Sequence, residues 1–438
     1  MSDEIYQSKL TTTEAAIATI ADQTNIVVGM AAGAPEKLLQ SLADALLADK
    51  LPAVKIYYKL AMQSMANTLL KPEVVKKTTL NTFFMTGVER KLRSDGINAD
   101  KKHLNYITYN FSELPDLLVN DIGVDTMIVT VSSMDQHGYF SFGTNNDFTT
   151  VAARSAKNLI VEVNPTMPRV FGDSMIHVSE VDMVVENNDT PIPMLPPGGQ
   201  PTDEQVKIAE QVAKLINNGD TIQLGIGGIS DAICDGLANH KDLGIHTELL
   251  SPGMAKLMQQ DVVTNKRKNI HPRKTLYTLA LGDQAFIDFI NDNPAIESYP
   301  SSYINCPAVI AQNDNLVSIN SAVQVDLYGN VNAEFLAGHE FSGTGGHADF
   351  VRGARMSKGG RTIIVMPSAT KGISKIVLNV DQVTTSRMDA EYFVTEYGCV
   401  NVLGLNNEER AKALISIAHP DHREELTKAA KDIQLIVE

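Results

Sequence analysis

A chain of 438 residues exceeds what one hydrophobic core usually serves, and 43% hydrophobic with 20% charged residues is the composition of a folded protein, so two domains are expected. A net charge of −15, from 52 acidic and 37 basic residues, argues against a binder of nucleic acid or of an anionic membrane, both of which need a basic face. Three scattered cysteines (Cys234, Cys306, Cys399), an acidic polar start and no apolar run of about 18 residues point to a cytoplasmic protein without disulfides, a CxxC metal site or a membrane partner.

Thr11 and Glu14 have capping-box spacing, so the first helix is expected there. Asn25 to Met30 reads as a short strand leading to Gly33, and Pro35 suits the first turn of a helix over EKLLQSLADALLADK. VKIYYKL alternates as a strand, NTLLKPEVVKK returns to a helical pattern, and Asp125 to Val131 is a buried strand opening into SSMDQHGYFSFG. A helix over Phe148 to Lys157 and the strand NLIVEVN follow. Strands alternating with helices predict an α/β fold with mostly parallel sheets.

Between Asn187 and Thr202, Pro191, Pro193, Pro196, Pro197 and Pro201 leave room for neither helix nor strand. This sets a first domain at 1–187, a linker at 188–202 and a second domain at 203–438. Thr202 and Gln205 make a second capping box. Thr221 to Leu224 is then a strand running into Gly225, Gly227 and Gly228, with Ser230 placed to cap the next helix. Glycines at such a turn let a ligand approach the backbone, and a helix N-terminus favours negative charge. A short apolar run beyond that helix ends at Glu248. Asn315 to Asn332 reads as a strand and a turn, GHEFSGTGGHADFVRGARMSKGG supplies another glycine-rich turn, and NNEERAKALISI and PDHREELTKAAKDI are two closing helices.

The halves resemble each other. TNIVVGMAAGAPEKLLQSLADAL aligns with DTIQLGIGGISDAICDGLANH, placing Gly29 over Gly225; DQHGYFSFG aligns with DLYGNVNAE, placing Asp135 over Asp326 and Gly138 over Gly329; NLIVEVN falls over RTIIVMP. The order is the same and the offsets are similar, as an internal duplication into two related α/β domains would leave them. Ligands of such proteins tend to sit in the cleft between the domains, outside the carboxyl ends of the strands, and the active site is expected there.

Several chemistries compete for these residues. Gly225 and Gly227 open a dinucleotide-type glycine pattern, with Glu248 placed as a ribose-binding acid, but Ser230 replaces the third glycine. No GxxxxGK[ST] phosphate loop and no GxSxG elbow occurs, and His419 with His422 lacks a third zinc ligand at a convincing spacing. A further competing reading needs a carboxylate nucleophile: a desolvated Glu facing backbone amides can attack an activated acyl group, and Gly343, Gly345 and Gly346 offer flexible backbone for such amides. Each residue also has a plain structural role. Glu248 could be a solvated strand end, Glu396 the partner of an arginine, Asn320 a turn residue, and His137 and His347 loop residues. Asp135 and Asp326 are best read as turn-stabilising residues that the fold needs twice.

GIHTELLSPGM, SINSAVQVDLYGNVNAE, GTGGHADFVRGA, VTEYGCVNVLG and ERAKALISIAHPDHREEL, in this order, resemble the acetyl-CoA hydrolase/transferase group of class I CoA-transferases, and SSMDQHGYFSFG fits as well. The resemblance spans essentially the whole chain and implies two similar domains of the NagB/RpiA-like type. It implies a ping-pong exchange of coenzyme A between a short-chain acyl-CoA and a free acid, of the acetate, butyrate, 4-hydroxybutyrate or itaconate class, through a glutamyl-CoA thioester on Glu248. It also implies an oxyanion or CoA contact at Gly346, auxiliary roles for Asn320 and Glu396, an acyl-pocket and CoA loop at Gly225, Gly227, Gly228 and Ile229, and CoA contacts around Gly343, Gly345 and His347. At His347 many relatives carry a serine. No metal and no nicotinamide cofactor is implied, and a homodimer or larger homo-oligomer is. An acyl-CoA hydrolase on the same scaffold is the nearest alternative; a dehydrogenase or a non-catalytic CoA-binding protein would be the readings from other classes.

Overall fold

Seven short segments form one all-parallel sheet in the first half of the chain: β1 (Asn25–Val28), β2 (Lys55–Tyr58), β3 (Thr79–Thr82), β4 (Leu104–Tyr106), β5 (Thr126–Val131), β6 (Asn158–Val163) and β7 (Met183–Glu186). The structure, a computed structural model, describes residues 2–51, 53–196 and 198–437. The strand order is β7-β6-β5-β1-β2-β3-β4. Every residue of β5 is buried, as a central strand covered on both faces requires. Helix α1 (Glu36–Leu47) buries Leu38, Leu39, Leu42, Ala43 and Leu46, the stripe of an amphipathic helix, in one core with Ile26, Val28, Ile56 and Ile128.

The second half repeats the plan. Strands β8 (Thr221–Leu224), β9 (Gly244–Ile245), β10 (Leu316–Ser321), β11 (Arg361–Val365), β12 (Tyr392–Thr395) and β13 (Gly398–Asn401) take the order β9-β8-β10-β11-β12-β13, parallel except for β13. The run β7-β6-β5-β1-β2 therefore has its counterpart in β12-β11-β10-β8-β9, with the strands that align in sequence at equivalent places. The duplicated turn repeats atom by atom. Asp135 accepts the backbone N–H groups of His137 (2.8 Å) and Tyr139 (2.9 Å), and Asp326 those of Tyr328 (3.0 Å) and Asn330 (2.9 Å). Between each pair sits a glycine in the left-handed region, Gly138 at φ +88° and Gly329 at φ +89°.

The chain forms two compact units, Met1–Pro196 with Tyr277–Tyr303, and Pro197–Leu276 with Ile304–Glu438. The sequence reading ran its second domain unbroken from 203 to 438; the structure gives 277–303 to the first unit. No helix or strand occupies the described residues of 188–202, and Pro197 of that linker lies outside them.

Other elements differ from expectation. The first helices are Ser2–Lys9 and Thr13–Ile17, and the cap of the second is Thr12 rather than Thr11. NTLLKPEVVKK is not one helix: Pro72 opens a short new one (Pro72–Val75) because the residue before a proline is driven to extended backbone, as Lys71 is at ψ 135°. Asn315 to Asn332 holds β10 and two further short strands, Gln324–Asp326 and Val331–Asn332.

Candidate active site

Strand β8 ends at Leu224, and the chain turns through Gly225 and Gly227 into helix α2 (Gly228–Gly236). Gly227, at φ +104°, is the helix N-cap and makes no side-chain cap; Ser230, expected to cap, lies inside the first turn. A glycine that reaches positive φ without a Cβ penalty turns the chain earlier than a serine could. A Cβ on Gly228 would meet the side-chain amide of Gln205, whose Oε1 accepts the Thr202 N–H of the capping box. The glycine loop is thus packed against the start of the helix that follows the linker.

The segment that carries Glu248 is pinned on both sides. Thr247 N donates to Leu276 O at 3.0 Å, and Thr247 Oγ1 lies 3.3 Å from Leu224 O, where the glycine loop begins, and 3.1 Å from Leu249 O. Glu248 is half-buried between buried neighbours. Its Oε2 accepts the Asn305 Nδ2–H at 2.8 Å. Over the same carboxylate lies Gly346: a Cβ built there would collide with Glu248 Oε2 and Asn305 Nδ2. At Gly345, φ +55°, a Cβ would stand 3.6 Å from Oε1.

Gly346 is the N-cap of helix α3 (His347–Met356), so the helix end that favours negative charge is brought to the carboxylate. His347 heads this helix. It is buried, its Nε2 has no hydrogen-bond partner among the described residues, and burial pushes its pKa down to about 4. The ring is therefore neutral at neutral pH.

Glu248, Gly345 and Gly346, which sequence reasoning singled out, are thus brought together. Asn320 and Glu396 are engaged elsewhere. Asn320, on β10, exchanges amide hydrogen bonds with Gln223 on β8 (3.2 and 3.1 Å) and donates to Ser318 Oγ at 2.8 Å. Glu396, just past β12, accepts Ser368 N at 2.8 Å and Ser368 Oγ at 2.5 Å. Both stand at carboxyl ends of strands in the sheet of the second unit. Ile229 is the second residue of α2, and Gly343 is buried in the loop before α3.

Asn305 was missed. It is fifty-seven residues from Glu248, in a stretch (YINCPAV) with no catalytic spacing, and only the fold brings its amide to the carboxylate. Among the described residues no three His, Cys, Asp or Glu side chains gather as metal ligands, and no helix is long and apolar enough to cross a membrane.

The chain is 42% identical to the 4-hydroxybutyrate coenzyme A transferase of Clostridium kluyveri, over 98% of this chain and 99% of that one. It is 36% identical to the butyryl-CoA:acetate CoA-transferase of Anaerostipes caccae, over 99% and 98%. The crystal structure of RipA from Yersinia pestis matches with a TM-score of 0.96 at 44% identity, covering 100% of both chains. Residues 2–196 match the acetyl-CoA hydrolase/transferase N-terminal domain and residues 282–430 its C-terminal domain, so the chain belongs to the acetyl-CoA hydrolase/transferase family.

Proposed function

We propose that this CoA-transferase moves coenzyme A between a short-chain acyl-CoA and a small carboxylic acid, with Glu248 as its nucleophile. One observation carries the assignment: the Glu248 carboxylate is oriented by Asn305 and lies so close to Gly346 that a Cβ there would have to displace it. A solvated strand-end glutamate needs neither feature.

In the proposed cycle a Glu248 carboxylate oxygen attacks the thioester carbonyl carbon. The C–S bond breaks, giving a mixed anhydride and CoA thiolate. The thiolate then attacks the glutamyl carbonyl carbon, forming the glutamyl-CoA thioester and releasing the first acid as its carboxylate. A second carboxylate enters by the reverse steps. The oxyanion of each tetrahedral intermediate needs donors fixed in advance, and the backbone around Gly346 at the positive end of α3 is where we place them. The CoA tail, far from the C–S bond that breaks, contributes binding energy that can be spent on compressing the reacting atoms.

The acid is of the acetate, butyrate, 4-hydroxybutyrate or itaconate class in this reading. The loop Gly225, Gly227, Gly228 and Ile229 lines the acyl side, and Gly343 and His347 contact CoA. Asn320 and Glu396 keep auxiliary roles, holding the strand ends near the substrate. Three free cysteines fit a reducing cytoplasm, and we expect a homodimer or larger homo-oligomer.

The test is intact mass after incubation with acetyl-CoA, followed by borohydride, beside Glu248→Ala. A CoA-sized adduct, or its reduced glutamyl alcohol, on the wild type alone is the expected result. Acyl-CoA consumption with no adduct would instead favour the hydrolase.

A further inference from the structure

We propose that His246 is a positioning residue for Glu248, holding in place both groups that flank the carboxylate, the Asn305 amide and the Gly346 peptide. The inference rests on Glu248 being the nucleophile and concerns what keeps it oriented.

His246 stands two residues before Glu248 and is fully buried. Its Nε2 lies 2.8 Å from the Ile304 carbonyl oxygen, and its Nδ1 lies 3.2 Å from Asn313 Nδ2. A carbonyl can only accept, so Nε2 carries the hydrogen; Nδ1 is left to accept from the Asn313 amide. This is the neutral ring, and burial, with Lys268 nearby, holds its pKa down at about 3. Both ring nitrogens are therefore committed, and the tautomer is fixed.

Each of these contacts leads towards Glu248. The Ile304 peptide runs straight into Asn305, whose Nδ2 donates to Glu248 Oε2 at 2.8 Å. The ring of His246 also meets Phe350 edge to face, with centroids 6.1 Å apart at 71°. Phe350 N donates to Gly346 O at 3.0 Å in the first turn of α3. One buried imidazole thus touches the segment that supplies the amide donor and the helix whose first residues cover the carboxylate. Leucine could fill the same space but would leave the Ile304 carbonyl and the Asn313 amide without these partners.

A core histidine with a purely structural role would affect how much protein folds, not how fast the folded protein reacts. The readout is therefore the first-order rate constant for appearance of the CoA adduct, by rapid quench and intact mass at saturating acetyl-CoA. Its amplitude reports the folded fraction, and the rate constant does not depend on it. His246→Leu should slow adduct formation about 100-fold, the scale of a small misplacement of a reacting group, with the half-saturating acetyl-CoA concentration unchanged. His246→Gln, whose amide N–H can reach the Ile304 carbonyl, should recover most of that loss. If His246→Leu does not fold, Asn313→Ala leaves the ring and its Ile304 contact in place while removing the amide that anchors Nδ1, and a slowed rate is expected there too.

Wild-type rates in folded His246→Leu, or in Asn313→Ala where that variant stands in, would overturn the proposal, as would His246→Gln as slow as His246→Leu. Absence of the adduct on the wild type would remove the Glu248 reading itself, and this proposal with it. An adduct on the wild type with unslowed variants removes His246 alone.

Discussion

At the scale of single residues, Gly346 and Gly345 are glycines for different reasons, and substitution separates them. Gly346 has φ −92°, a backbone that any residue adopts, so alanine there leaves the fold intact and acts only through its methyl group. That methyl would occupy the place of Glu248 Oε2 and Asn305 Nδ2. Gly346→Ala should fold normally and form the adduct about 100-fold more slowly or not at all. Gly345→Ala meets Oε1 only at ordinary contact distance but must hold φ +55°, so its cost of about 1 kcal/mol should appear in the denaturation midpoint. Asn305 gives a second contrast. Asn305→Asp replaces the donor by a second carboxylate against Oε2, and like charges in one site resist joint ionisation. It should therefore react more slowly than Asn305→Ala, which removes the donor without adding repulsion; comparable adduct rates would separate Asn305 from the chemistry. The sequence shows the glycines and Glu248, because turn chemistry and motif order are local. It does not show Asn305 or His246, because nothing near either residue tells which side chain the fold will bring to it.

At the scale of elements, the strands of the two sheets were legible where they are continuous apolar runs, as buried parallel strands are. Two departures were decided by single residues: Pro72 broke a helix, and Gly227 started another three residues before its expected serine cap. The duplicated Asp–Gly turn was legible because its two copies could be compared, and it makes a pH prediction. Burial opposes ionisation of Asp135, but the N–H groups of Tyr139 and His137, with Arg169 at 2.8 Å, outweigh it and hold the carboxyl below its usual range. A folded-state pKa below the unfolded value of about 3.9 stabilises the native state above that pH, and the contribution is lost as pH falls through the lower folded value. Asp135→Asn should therefore be less stable than the wild type at pH 7, by about 1 kcal/mol. The gap should narrow once the pH drops below about 3.9. Urea midpoints of both proteins at pH 7 and pH 3 would show it, and a gap that stays constant would deny the carboxylate its part in the turn.

At the scale of the whole molecule, a proline-rich linker invites the chain to be cut in two at 196, and the structure predicts that this cut fails. The first unit contains Tyr277–Tyr303, a segment more than seventy residues beyond the linker. Tyr277 OH donates to Gly143 O at 2.8 Å; Glu297 and Ser298 pair in parallel with Phe171 and Gly172; Asp292 N donates to Arg169 O; and Arg169 N donates to Asn291 Oδ1. Leu195, at the end of the linker-side segment, itself donates to Gly282 O. The inserted segment also brings buried Leu279, Leu281, Phe286, Ile287 and Ile290. At about 1.5–3 kcal/mol for each such side chain, their loss is on the order of the 5–15 kcal/mol that keeps a domain folded. No motif announces this insertion, because the segment leaves one unit and enters the other through ordinary strand-like runs. A fragment of residues 1–196 should therefore show no cooperative thermal transition, whereas the same fragment joined through a flexible linker to 277–303 should recover one. A sharp, reversible transition in 1–196 alone would mean that the first unit is complete without the insertion, and that the sequence reading of an unbroken second domain had drawn the boundary where folding does.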